Sequence, residues 1–146
     1  MWTRRLLLIP AALAVAGVAL ATGFGGDNPP SRIPIPARDF SATVEDHGGV
    51  QVTVDRVSWK GEIFLYGTLG AAQITLPFDK IATVRFEKKD EETRVAVATT
   101  TDGDTVRIDV DEDTPCYGAT KYGNYAIEAE DIRSITFHHS KTPPSE

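Results

Sequence analysis

The chain has 146 residues, with 15 Lys and Arg against 21 Asp and Glu, and a formal net charge of −6 at pH 7. This length suits one domain, and the acidic balance argues against a nucleic-acid partner, because phosphate binding requires a basic surface. The single cysteine, Cys116, excludes an internal disulfide and a cysteine-based zinc or haem site, and we expect it to be a small buried hydrophobic residue.

Residues 1–21 have the pattern of a secretory signal peptide. Arg4 and Arg5 precede an apolar run over residues 6–20, and Ala19 and Ala21 give the small-x-small pattern of a cleavage site. The alternative is an uncleaved membrane anchor over residues 6–23, because that stretch approaches the roughly 18 residues of a span. We therefore expect an exported protein, periplasmic or extracellular, either free or tethered through this segment. Its acidic β domain is not expected to insert into a membrane.

Residues 22–38 contain three glycines and four prolines, which is typical of a linker. Residues 140–146, with Pro143 and Pro144, are expected to be a disordered tail. Between these segments we predict a single β domain over residues 39–139.

The domain has the two-residue periodicity of β-strands. Ala42 and Val44 alternate with polar residues, and a turn at residues 46–49 leads to a second alternating run that ends at Val54. Apolar residues then shift from even to odd positions, which predicts a bulge near Asp55 and Arg56. Residues 63–66 are apolar on both faces, as in a strand that is covered on both sides. No helical stripe occurs after the signal segment, so we predict an all-β fold.

Residues 66–86 and 117–137 are similar, with four identities over 21 aligned positions. Both stretches open on Tyr-Gly, at Tyr66 and Tyr117, and we interpret the two glycines as turn residues. This predicts an internal duplication of about residues 40–87 and 93–138, joined by a charged hinge at residues 88–92. The first copy carries three more residues before its Tyr-Gly pair than the second copy does.

Each copy alone is too small to bury a stable core. We therefore expect the two copies to pack around one core, related by an approximate twofold axis. About ten short strands would then form one compact sandwich or barrel. The alternative is two small tandem barrels.

A run of carboxylates is the first candidate site. Calcium takes six to eight oxygen ligands, and the candidate ligands are Asp102, Asp104, Asp109, Asp111 and Asp113. The spacing does not fit an EF-hand loop. The alternative is a solvated strand face, because inward-facing Val106, Ile108 and Val110 would turn the acids between them outward.

Aromatic residues form the second candidate site. Trp59, Tyr122 and Tyr125 could stack on a sugar or anchor a protein partner. The alternative is packing in the core or along a sheet edge.

No signature of a nucleophilic enzyme is present. The chain lacks a Gly-x-Ser-x-Gly elbow, and Ser58, Ser134 and Cys116 lie within strand patterns. We therefore expect a non-enzymatic domain without a cofactor, which binds a protein or cell-envelope component through sheet edges and turns. One alternative is a cation- or small-ligand-binding module that uses residues 102–113, with Ca²⁺ as its ion. A third is a hydrolase with acid/base carboxylates. The sequence leaves the oligomeric state open.

Overall fold

The computed structural model describes residues 32–139, which contain ten β-strands and two short 3-10 helices, Phe78–Lys80 and Ala129–Asp131. The predicted all-β class and the number of strands are confirmed. The strands are β1 (Ser41–Asp46), β2 (Gln51–Trp59), β3 (Phe64–Leu69), β4 (Ala72–Pro77), β5 (Ile81–Lys88), β6 (Thr93–Thr100), β7 (Thr105–Asp111), β8 (Pro115–Thr120), β9 (Gly123–Glu128) and β10 (Ile132–His138).

Several predicted segments lie outside the described residues. They are the signal peptide or anchor at residues 1–21, most of the linker at 22–38, and the tail at 140–146. Within residues 32–139, no helix is long and apolar enough to cross a membrane. The described end of the linker packs on the domain, since Pro36 is buried and Pro34 lies against Gly61.

All ten strands belong to one antiparallel sheet, curled into a half-barrel. The strand order is β4-β3-β7-β6-β5-β10-β1-β2-β8-β9. One continuous sheet excludes the alternative of two tandem barrels, and it also differs from a sandwich of two separate sheets. The half-barrel leaves β4 and β9 as edge strands.

The strand order is symmetric about its central pair, β5 and β10. Replacing each of β1–β5 by its counterpart among β6–β10 reverses the order. As a result β3 pairs with β7, and β8 pairs with β2, so each half of the sheet contains strands from both similar stretches. This order is consistent with a duplication, which stays a prediction from the sequence.

The charged segment at residues 88–92 is a hairpin turn and not a hinge. The amide of Lys89 donates to the carbonyl of Thr93 at 3.0 Å, and β5 pairs with β6 along its length. The prediction of a hinge was wrong because the two similar stretches continue one sheet and do not form separate layers.

The predicted turn at residues 46–49 and the predicted bulge near Asp55 and Arg56 are confirmed. Asp46 Oδ1 accepts hydrogen bonds from the amides of Gly48 and Val50, at 2.8 and 3.0 Å, and so closes the β1–β2 turn. The register of β2 against β8 shifts between Asp55 and Ser58, and Arg56 within this bulge has φ 54°.

One core cluster lines the inner face of the sheet. Trp59 is 1% exposed and stacks on Phe86, with ring centroids 5.7 Å apart. Cys116 is buried as predicted, and burial raises the pKa of its thiol to about 12. Other fully buried side chains are Val44, Val54, Val57, Leu65, Ile81, Val84, Ile108 and Ile132.

Gly67 and Gly118 lie inside strands β3 and β8 and not in turns, so our interpretation of them as turn residues was wrong. Each glycine is needed where two strands approach closely. A Cβ atom on Gly118 would lie 2.8 Å from Cβ of Val54, and Gly67 is in a tighter position against Asp109. Because neither glycine has a side chain, Gly67 allows β3 to approach β7, and Gly118 allows β8 to approach β2.

Candidate functional site

An open groove lies between the β3–β4 hairpin and the segment that joins β7 to β8. Its volume is about 1160 Å³. We call it the seam groove and define it by Phe64, Tyr66, Gln73, Asp109, Asp111 and Tyr117, which are among its lining residues. Phe64 and Tyr66 flank the core residue Leu65 along β3, and both are partly buried. Tyr66 packs against the edge of the core cluster and also borders the groove.

The groove exists because the junction between β3 and β7 is short. β3 pairs with β7 only at Thr68 and Asp109. The corresponding junction of β8 with β2 has three residue pairs, because β2 continues beyond its bulge to Trp59. β2 has nine residues and β7 only seven. The first residues of β3 therefore have no partner on β7, and the space beside them stays open.

Three aromatic side chains, of Phe64, Tyr66 and Tyr117, contribute to the apolar part of the seam groove. Phe64 and Tyr66 pack edge to face, with ring centroids 6.0 Å apart. Tyr117 of β8 also lines the groove, and partial burial raises the pKa of its hydroxyl. Tyr66 and Tyr117, the two tyrosines that open the similar stretches of sequence, therefore border the same space.

Acidic side chains dominate the charge of the groove. Its lining contains four carboxylates, of Glu62, Asp109, Asp111 and Asp113, and two ammonium groups, of Lys60 and Lys89. Lys89 Nζ pairs with Asp109 Oδ2, and this pairing raises the pKa of Lys89. Asp111 and Asp113 are exposed and form no ion pair with a described residue. The groove therefore has uncompensated negative charge at one end.

The structure separates the five predicted calcium ligands into two groups. Asp109, Asp111 and Asp113 line the seam groove. Asp102 and Asp104 lie at the opposite end of β7, and a strand of seven residues spans about 20 Å. Residues 32–139 contain no set of three or more His, Cys, Asp or Glu side chains placed to hold a metal ion. The five carboxylates therefore do not form one cluster.

The predicted outward orientation of the acids on β7 agrees with the structure. Ile108 and Val110 are buried in the core, while Asp111 is exposed and Asp109 is partly exposed. Asp109 and Asp111 therefore belong both to the solvated face of β7 and to the wall of the seam groove.

The structure also separates the three predicted aromatic contacts. Trp59 is in the core and cannot reach a partner, and its Nε1 is buried without a hydrogen bond. Tyr122 is 86% exposed at the β8–β9 turn, with Lys121 Nζ 5.0 Å above its ring. Tyr125 is partly buried against the core, and burial, followed by Cys116 and Asp46, raises the pKa of its hydroxyl to about 12. Of the three, Tyr122 alone presents its whole ring to solvent.

Sequence reasoning missed the aromatic residues of the groove. Residues 63–66 were interpreted as a strand covered on both faces, whereas Phe64 and Tyr66 are only partly buried and border open space. The available signal was the three extra residues that the first copy carries before its Tyr-Gly pair. These residues lengthen β2, which fills the junction with β8, whereas the shorter β7 leaves the junction with β3 open.

Comparison with curated proteins gave no match, and neither did comparison with solved structures. Residues 36–140, which are more than half of the chain, match the model of a family described as "Uncharacterised protein". This match covers the β domain from the buried Pro36 to the end of β10. The chain therefore belongs to that uncharacterised protein family.

Proposed function

We propose that this chain carries an exported, non-enzymatic β domain that binds a protein or cell-envelope component. The observation that carries the proposal is the seam groove, where aromatic rings lie beside uncompensated carboxylates. Aromatic side chains with a few charged groups beside them are typical of binding surfaces. The non-enzymatic part is supported by the burial of two nucleophile candidates, Ser58 and Cys116.

The two edge strands support the same proposal. β4 and β9 each pair with one neighbour only, so their outer backbone groups can accept an added strand. β4 has no charged residue along its length, and Leu69 at its turn is 44% exposed. Charges on an edge normally discourage pairing with another chain, and β4 lacks this protection.

The route of the chain into the domain supports a tethered or exported setting. Pro34 lies against Gly61, between the groove residues Lys60 and Glu62. The first described residues of the chain therefore lie close to one end of the groove. An envelope-bound N-terminus would keep that end close to envelope components.

The experiment is site-specific photocrosslinking of the full chain in its own cells, followed by fractionation. A photoreactive residue replaces Gln73, which lines the groove, or Asp102, which is exposed at the far end of β7. We expect a discrete adduct in the envelope fraction from position 73 and none from position 102. Accumulation of the chain in the cytoplasm, or the absence of an adduct from every groove and edge position, would contradict the proposal.

A second candidate is a cation-binding module. Asp109, Asp111 and Asp113 line the same groove, although no three acidic side chains of the described residues are placed to hold one ion. Thermal unfolding in excess chelator and in millimolar calcium tests it. Calcium at about 100 times its Kd would stabilise the fold by about 2.7 kcal/mol, and Asp111→Asn would remove the response. Identical curves would argue against this candidate.

A further inference from the structure

We propose that the seam groove takes a short extended peptide segment whose Lys or Arg side chains face Asp111 and Asp113. This inference rests on the proposed function and names the chemistry of the partner. Three separate features of the groove favour such an occupant: its size, its charge combined with its aromatic lining, and the strand at its wall.

The volume of about 1160 Å³ is larger than the roughly 300–1,000 Å³ of most small-molecule pockets. A single ion would leave most of this space to water. The groove is also open, so a chain can enter and leave along it. The size therefore suits a segment of several residues better than a small ligand or a metal ion.

The charge selects cationic side chains. Four carboxylates and two ammonium groups line the groove, and the ammonium group of Lys89 already forms an ion pair with Asp109. Asp111 and Asp113 are left to meet the positive charge of a partner. The rings of Phe64 and Tyr66 lie in the same groove, and aromatic faces attract ammonium and guanidinium groups as well as their aliphatic stems. An acidic or neutral segment would lose both contributions.

The strand at the wall favours an extended backbone. On the side that faces β7, β3 pairs with that strand only at Thr68. Toward Phe64, β3 therefore has no paired strand on this side. Hydroxyl and amide side chains lie on the same wall, at Thr68, Gln73 and Thr75. An extended peptide can pair with such a strand and direct alternate side chains toward the carboxylates.

The test measures the fluorescence anisotropy of a labelled peptide of alternating Arg and Thr on the full chain at about 150 mM salt, an ionic strength that screens distant charges. A peptide with Glu in place of Arg is the control ligand. The groove variant is Asp111→Asn combined with Asp113→Asn. The backbone carbonyl of Asp111 accepts the hydrogen bonds from Thr114, so the substitution keeps them.

The matched control variant is Asp102→Asn combined with Asp104→Asn, which makes the same change in charge at the other end of β7. We expect the groove variant to weaken binding of the Arg peptide by about tenfold and the control by less than about twofold. Tyr66→Leu should weaken it by a further three- to fivefold or so. Equal melting temperatures of the variants would show that the fold is intact.

Equal weakening by the two double variants would overturn the inference, since it would reflect net charge only. Absence of Arg-peptide binding would overturn it as well. A crosslinked adduct from position 73 in that case would leave the proposed binding function standing with a partner of different chemistry. Absence of both the adduct and peptide binding would contradict the function and the inference together.

Discussion

Gly67 of β3 lies directly against the backbone of Asp109 of β7. A Cβ atom at Gly67 would overlap the carbonyl oxygen of Asp109 and would stand 2.7 Å from Cγ2 of Ile108. The neighbouring pair, Thr68 and Asp109, is the one point at which β3 joins β7. Because Gly67 has no side chain, β3 can approach β7 closely enough to form the junction that borders the seam groove.

Gly67→Ala should destabilise the domain by about 2–3 kcal/mol, because the added methyl group meets backbone that cannot move without separating two strands. Gly118→Ala is the matched control at the corresponding junction, where the contacts closer than 3.3 Å are side-chain atoms of Val54. It should cost less. Urea unfolding of both variants and of the wild type measures the difference. A midpoint of Gly67→Ala equal to that of the wild type would show that the junction between β3 and β7 tolerates a side chain.

Trp59 and Tyr122 should respond in opposite ways to truncation. Trp59→Ala removes a fully buried ring that stacks on Phe86, and it should cost about 3–5 kcal/mol of stability. Tyr122→Ala removes an exposed ring, and the change should stay within about 0.5 kcal/mol. Denaturant titration checks both values. A small effect of Trp59→Ala would show that this ring is not part of the core.

Cys116 should resist thiol reagents in the folded protein and react at once in denaturant, because burial raises its pKa from 9.0 to about 12. The same shift adds stability that is fully present below pH 9 and is lost as the pH rises toward 12. The stability advantage of the wild type over Cys116→Ala should therefore shrink between pH 8 and pH 11. Rapid labelling of the native protein at pH 8 would contradict the buried position.

Glu112 and Glu87 should show opposite pH dependence. Burial, then the charge of Glu130, raises the pKa of Glu112, so its contribution is most favourable below its ordinary pKa of 4.5 and is lost as the pH rises. Arg85 and Arg107 lower the pKa of Glu87, so its contribution is present above pH 4.5 and is lost on acidification.

At pH 7, Glu112→Gln should therefore raise the melting temperature, and Glu87→Gln should lower it. Both differences should diminish on acidification toward pH 4, and the effect of Glu112→Gln should diminish first, because the pKa of Glu112 is raised and that of Glu87 is lowered. Calorimetry at the two pH values measures the four shifts. The same sign for both substitutions at pH 7 would refute the assignment of these two environments.

The strands could be predicted because their signals are local. Alternation of apolar residues, the turn at residues 46–49 and the change of parity near Asp55 each depend on a few neighbouring residues. The seam groove depends on β3 pairing with β7, some 40 residues away in the chain, and no local pattern specifies that partner. Alternation also could not decide which aromatic residues face solvent, so Trp59 was grouped with Tyr122 although one is buried and the other exposed.

β10, the last in chain order of the ten described strands, occupies the centre of the sheet, between β5 and β1. A nascent chain that lacks residues 132–138 has two partial sheets with no strand to join them. The sheet can therefore be completed only after residues 132–138 have been synthesised. For the export that we propose, this order of synthesis would keep the sheet incomplete until late in translocation. A chain truncated before residue 132 would be left with two partial sheets that cannot join.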